Sequence, residues 1–263
     1  MKIVLLEPVE PDSSTSHKIN RIHAILASQG HSLVRQHADK SLFESIRQHQ
    51  PDVVFNLASI YSWEKTNLIP AALEIAALRY SGSGLFGLSL ARNHTKLFPL
   101  LLAAGVPLMP FALTHARGAA LPHGFHFPIT LYCDGERHGL LLQTTADLTR
   151  ALKDRPDKED VLLQETLTGE TQSVYVLDCA AFLPCGDAAC LEPALIAYRL
   201  LEARGLARFD FTKADKTYLT DIDLAPDPLD PRFIRLAARQ GLDEAKILQT
   251  LIEHAGSDLP ITA

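Results

Sequence analysis

The segment RFDFTKADKTYLTDID, residues 208 to 223, carries the densest set of groups able to do chemistry in this chain. Two alternating apolar and polar runs flank the polar turn Lys213-Ala214-Asp215-Lys216, the pattern of a β-hairpin. Pairing Thr212 with Thr217 sets Asp210 opposite Leu219. Period-two alternation then gathers Arg208, Asp210, Asp221 and Asp223 on one face, with Phe209, Phe211, Tyr218 and Ile222 on the other. Carboxylates held so close repel one another unless a cation lies between them, and magnesium takes such hard oxygen ligands. Asp210, Asp221 and Asp223 are therefore candidate metal ligands. A half-exposed ribbon, apolar toward the core and charged toward water, would show the same alternation with no metal. A one-residue bulge would send Asp210 and Asp221 to opposite faces.

Other candidate ligands are scattered. Cys133, Cys179, Cys185 and Cys190 lack the paired close spacing of a zinc site and are too few for a disulfide framework, so reduced thiols are expected. His115, His123 and His126 stand among Gly and Pro without a carboxylate or thiol to complete a set, which reads as a solvated loop. A formal net charge of −6 with no long basic stripe argues against nucleic acid as a partner. The apolar run before Glu7 is too short for a signal-peptide core, and no stretch approaches the roughly 20 residues that cross a bilayer. The expectation is a cytoplasmic protein, not membrane-bound, that handles small molecules.

The elements that must position the hairpin follow from periodicity. KIVLLE reads as a strand, and Ile19, Ile22, Leu26 and Ala27 recur at helical spacing up to Gly30. SLVRQH, a short helix with a Ser41/Glu44 capping-box pattern, the apolar run DVVFNLA and a helix around Ile69, Leu73 and Ala76 continue the alternation. Strands alternating with helices imply a parallel sheet covered on both faces. After the SGSG turn at 81 to 84, read as a turn rather than a ligand contact, a helix through Thr95, Leu97 and Leu101 ends at Gly105. The middle of the chain mixes the short strands FPITLY and GLLLQ with a helix over Asp147 to Lys153, a small α+β lobe. Strands return from VLLQETLTGETQSVYVLD, and amphipathic helices near Phe233 to Arg239 and Asp243 to His254 close the chain. The expected division is an α/β domain over 1–90, a central lobe over 91–167 and a lobe bearing the hairpin over 168–263.

Several separated stretches together resemble the D-alanine:D-alanine ligases of the ATP-grasp superfamily. They are PDVVFNLA, YSGSG and TKLFPLLLAAGVPLMPF, then VLLQETLTGETQSVYVL, then AYRLLEARGLARFDF with YLTDID, in the family's order and over about two thirds of the chain. The resemblance implies an ATP-grasp fold, with a Rossmann-like parallel α/β domain and two small α+β lobes. It also implies ATP and magnesium as cofactors, amino acids or other small carboxylates and amines as substrates, and a homodimer. The implied reaction phosphorylates a carboxylate with ATP and lets an amine displace the phosphate. Residue by residue, Asp210 takes the place of the family's first metal carboxylate, Asp221 that of its glutamate, Asp223 that of its asparagine, and Arg208 that of the catalytic arginine in the same strand. Gln164, Glu165, Thr166 and Leu167 match the hinge that holds adenine, and Arg92 stands near a phosphate-binding lysine.

The chain departs from that pattern on the phosphate and substrate sides. Tyr132 stands where a second phosphate lysine is expected, and the loop that follows reads DGERHG instead of a run of glycines and serines. Thr171 falls at the place of the ribose glutamate, EPVEPDSSTS replaces a glycine-rich loop, and the long lid between Leu177 and Pro193 is missing. Two functions follow: a carboxylate–amine ligase with altered substrates, or a non-catalytic paralogue that binds nucleotide or protein.

Overall fold

The computed structural model describes residues 1–61, 67–133, 139–167, 169–182 and 188–256. Its first sheet is parallel, in the order β2 (Ser32–His37), β1 (Lys2–Glu7), β3 (Val53–Asn56). β1 lies in the middle and Ile3 to Leu6 are fully buried, which is why its sequence runs apolar without alternating. Helix α1 (Ser13–Ser28) starts where the Asp12 side chain accepts from the Thr15 amide, and it buries Ile19, Ile22 and Leu26. Helix α2 (Leu42–His49) begins without the expected capping box: the Ser41 hydroxyl donates to Asp39 instead and caps nothing. The run DVVFNLA is also not one strand. Asn56 accepts from the Ser59 amide and donates to the Ser59 hydroxyl, so the chain turns directly from β3 into the short helix α3 (Leu57–Tyr61).

Helices α4 (Leu68–Ile75), α5 (Leu85–Ala91) and α6 (His94–Ala103) lead out of this sheet. The segment between α4 and α5 extends the sheet by one bridge, Val54 to Tyr80. The second sheet is antiparallel, in the order β4 (Phe111–His115), β7 (Asp160–Glu165), β5 (Ile129–Cys133), β6 (Leu140–Leu142). His115 therefore ends a strand and contacts Asp160 at 3.0 Å, where a loop was expected. Helix α7 (Thr145–Leu152) covers one face through Leu148, which packs with Ile129, Leu131, Val161 and Leu163. Pairing Thr130 with Gln164 and Tyr132 with Leu162 puts those four side chains on the other face.

The third sheet has the order β11 (Thr217–Asp223), β10 (Leu206–Lys213), β8 (Glu170–Leu177), β9 (Ala180–Phe182). The stretch VLLQETLTGETQSVYVL is thus divided: β7 completes the second sheet and β8 opens the third. Helices α6 and α8 (Leu191–Leu200) cover one face of the third sheet, packing Leu97, Leu101 and Ala197 against Val174, Phe209 and Phe211. On the other face, α9 (Pro231–Arg239) and α10 (Glu244–Glu253) bring Phe233, Ile247 and Leu248 into one core with Ile3, Leu5, Ile22, Tyr175 and Phe182. The last helices therefore join the third sheet to the first.

The hairpin forms, in a register different from the one expected. Lys213 pairs with Thr217, Thr212 with Tyr218 and Phe211 with Leu219; beyond a bulge, Asp210 pairs with Asp221, Phe209 with Ile222 and Arg208 with Asp223. Thr220 is the extra residue on β11, and its hydroxyl donates to the Asp210 carbonyl at 3.1 Å. Leu219, not Tyr218, joins the buried apolar face; the Tyr218 hydroxyl donates to Asp215 in the turn.

Gly87 sets how α5 meets α8. A Cβ at this position would collide with the carbonyl oxygen of Leu201. Gly87→Ala is expected to lower the unfolding free energy by about 1–3 kcal/mol, measured by urea denaturation. An unchanged midpoint would mean that α5 moves away freely.

Candidate functional site

Arg208 sits at the centre of the carboxylates. Its Nε lies 3.4 Å from Asp210, and its Nη2 lies 3.3 Å from Asp221 and 3.8 Å from Asp223. The repulsion expected between these acids is thus relieved by a guanidinium from the same hairpin, and their clustering alone does not require a metal. Burial alone would lower the Arg208 pKa, but the three carboxylates outweigh it and hold the pKa above its ordinary value. Asp210 is the least comfortable of the acids: burial raises its pKa despite Ser173 and Arg208. Its Oδ1 is buried without a hydrogen-bond partner among the described residues. Asp223 also accepts from the Ala225 amide at 3.0 Å, while Asp221 is the most exposed of the three.

Among the described residues no group of three or more His, Cys, Asp or Glu is placed to hold a metal ion by itself. The bulge offers instead the facing pair Asp210 and Asp221, with one carboxylate oxygen left over. That fits magnesium, which keeps most of its shell in water and phosphate oxygens and takes only one or two protein carboxylates.

Two adjoining clefts open at the hairpin. The first, about 650 Å³, runs between α6, Tyr132 and Leu219 to Ile222. The second, about 1060 Å³, is bounded by Ser59 to Tyr61, Leu88, Arg92 and Arg208, with Asp221 to Ala225. Ala91, His94, Asp221 and Ile222 line both, so the exposed metal candidate stands at their junction. Tyr132 lies in the first cleft, with its ring 4.4 Å from that of His94 and 5.6 Å from that of Phe98. Burial, with Asp221 nearby, pushes its phenol up to about 12, so it is a neutral group at ordinary pH. Gly139 passes over this face so closely that a Cβ would collide with Thr130 and the Tyr132 ring.

Arg92 caps the end of α5 and lines the second cleft, where burial lowers its pKa. The hinge residues lie apart from both clefts: Gln164 is buried between β4 and β5, and Glu165 and Thr166 donate their amides to the carbonyls of Pro110 and Pro128. Glu165 and Leu167 are half-buried beside them. The loop DGERHG, apart from Gly139, and most of YSWEKTN lie outside the described residues, as does Cys185.

No protein-family model matches the chain. The D-alanine–D-alanine ligase of Xanthobacter autotrophicus is 24% identical over 275 residues, covering 88% of this chain and 85% of its own length. That of Dinoroseobacter shibae is 25% identical over 279 residues, covering 89% and 88%. The crystal structure of D-alanine–D-alanine ligase from Bacillus anthracis complexed with ATP matches at a TM-score of 0.80 and 16% identity, over 97% of this chain and 96% of that one. The chain is similar to D-alanine–D-alanine ligases over most of its length and shares their ATP-grasp fold.

In this ligase-like chain, two constellations escaped the sequence reading. His94, the first residue of α6, lines both clefts, and its only sequence signal was Asn93, whose side chain accepts from the Lys96 amide to cap the helix. Tyr61, on the second cleft, donates to Asp227, which also contacts Lys18 at 2.6 Å. These three lie far apart in sequence and no motif connects them.

Asp210 gives a pH test with a defined sign. Its folded pKa lies above the unfolded value, so the native state keeps a proton that the unfolded chain has lost. The stability this contributes is complete below the ordinary carboxylate range and is lost as pH rises through the raised value. With chelator present, Asp210→Asn is expected to raise the melting temperature by about 2 °C at pH 7 and to give no gain at low pH. A lower melting temperature at pH 7 would mean that the ionised carboxylate is already satisfied.

Proposed function

We propose that this protein is an ATP-dependent carboxylate–amine ligase that uses magnesium and forms an amide through an acyl phosphate, on substrates other than two D-alanines. The observation that carries the reading is the Asp210–Asp221 pair with its unpartnered buried oxygen, held at the junction of two clefts in the fold of a ligase solved with ATP. Nucleotide would occupy the first cleft, ending at His94 and Asp221, with carboxylate and amine in the second. Transfer of the γ-phosphoryl group to the carboxylate gives the acyl phosphate and ADP. Attack by the amine then forms the amide and releases phosphate.

Magnesium bound by Asp210 and Asp221, with Asp223 behind them, would neutralise charge on the phosphate oxygens. The chain's own part is positioning. Arg208 and Arg92 flank the second cleft as the cations for a carboxylate, and Ile60, Leu88 and Leu224 supply an apolar wall. The adenine would extend beyond the first cleft to Gln164, Glu165 and Leu167, which do not line it, and meet their backbone groups there. Small molecules as substrates and a cytoplasmic location, where ATP is abundant, belong to the same reading. No described helix is long and apolar enough to cross a membrane.

A non-catalytic nucleotide- or protein-binding role is the second reading. It is favoured by Tyr132, a neutral phenol in the first cleft, and by the guanidinium that already engages one oxygen of each acid. Titration calorimetry with a non-hydrolysable ATP analogue separates the two. Magnesium-dependent binding is expected in the wild type and its loss, by at least about tenfold, in Asp210→Asn with Asp221→Asn. ADP release with a panel of amino acids should accompany it. Binding without turnover across the panel would favour the second reading, and no binding would sink the first.

A further inference from the structure

We propose that Arg208 is a positioning residue that serves as the built-in counter-ion of the acidic hairpin and competes with the divalent cation. Binding of metal then turns its guanidinium away from the carboxylates toward the second cleft. The inference rests on the ligase reading and adds an order of binding to it.

The guanidinium already contacts the oxygens that a metal would need: Oδ2 of Asp210, of Asp221 and of Asp223. A magnesium ion sits about 2.1 Å from a carboxylate oxygen. A guanidinium left 3.3 Å from the Asp221 oxygen would then stand against a doubly charged neighbour within a few ångströms, in a site where only 20% of the arginine side chain is exposed. The two cations therefore exclude one another from the same oxygens. Asp210 Oδ1 has no hydrogen-bond partner among the described residues and gives the metal its first point of attachment before the guanidinium moves.

The charge count explains why the order matters. Asp210, Asp221 and Asp223 with Arg208 carry a net charge of −2, from three carboxylates and one guanidinium. Asp221 and Asp223 line the second cleft, so an entering carboxylate meets acids that already engage Arg208 and finds Arg92 as the other arginine on that wall. One divalent cation brings the sum to zero and leaves Arg208, which lines the same cleft, without its partners. Metal thus frees a second cation beside Arg92 for the carboxylate substrate, and a carboxylate arriving first binds more weakly because Arg208 is still engaged with the acids.

Manganese binding followed by electron paramagnetic resonance, in the presence of a non-hydrolysable ATP analogue, tests the competition. In Arg208→Met the apparent manganese affinity is expected to be about tenfold tighter than in wild type, with Arg208→Lys between them. Circular dichroism melts establish that each variant is folded; if Arg208→Met is not, Arg208→Lys decides alone. Equal or weaker affinity in a folded variant overturns the proposal while leaving the ligase reading intact. Binding to the variant but not to wild type supports the proposal in its strongest form. No binding to either protein overturns both. For the turning itself, phenylglyoxal modification of Arg208 is mapped by mass spectrometry with manganese alone. Faster labelling is expected at concentrations where resonance detects bound metal, and unchanged or slower labelling there overturns this half.

Discussion

On β11, Thr220 stands between the residue that pairs with Phe211 and the residue that pairs with Asp210, and that unpaired position sets the parity of the strand. Continuing the register of Lys213–Thr217 without the bulge would place Thr220 opposite Asp210 and turn Asp221 toward the side of Phe209 and Phe211. That side is packed by α6, α8 and Leu162, where an ionised carboxylate has no partner and a high desolvation cost. The bulge sends Leu219 into that core and Asp221 to the cleft junction with a single inserted residue. The hydroxyl-to-carbonyl bond from Thr220 to Asp210 holds the irregularity in place.

The clefts depend in turn on how the three sheets are held. α9 and α10 weld the third sheet to the first through Phe233, Ile247 and Leu248, so the wall carrying Ser59 and Tyr61 keeps its distance from the wall carrying Arg208. A second tie is polar. Arg204 donates to the Tyr80 hydroxyl at 2.7 Å and its amide donates to the Ser83 hydroxyl, while Glu74 accepts from Tyr80 and from the Leu85 amide. This network explains SGSG: the segment is a joint between the first sheet, α5 and the strand that starts at Leu206. Gly205 lies beside Gly82 at a positive φ of 64°, a backbone conformation that favours glycine, and a Cβ there would press on Leu251.

Much of this was legible in the sequence wherever one local rule decided the outcome. Continuous apolarity marked β1, helical spacing marked α1, α9 and α10, and alternation marked the hairpin. Failures came where two local rules competed. Ser41 and Glu44 satisfy the capping-box pattern, but Asp39 captures the serine hydroxyl. DVVFNLA has the apolarity of one strand, but the Asn56–Ser59 pair stops it halfway. At the site, alternation identified Arg208, Asp210, Asp221 and Asp223 but could not reveal that the arginine lies among the acids, because alternation fixes faces and not contacts. His94 and the Tyr61–Asp227–Lys18 contacts join separate lobes and leave no local pattern to read.

The balance of charge across the two clefts bears on which chemistry the fold retains. A triphosphate needs positive charge along its length, and in this chain the neutral Tyr132 lines the first cleft, where the proposed reading puts nucleotide, while Arg92 lines the second. Among the described residues, the start of α6 offers a positive end to the first cleft, and a cation held by the carboxylates would add to it. Nucleotide without metal would therefore meet a site of net negative charge, whereas a chain with a lysine at position 132 would have a favourable contact without any metal. A phenol in place of the lysine that the resemblance implies would move the burden of phosphate recognition onto the ion. The acids compensate in the same direction, since aspartates at 221 and 223 carry two negative charges where the resemblance implied a glutamate and a neutral asparagine. On the proposed reading, loss of a fixed cation and gain of a carboxylate would be one change in charge distribution, making the site more dependent on metal rather than simply weaker.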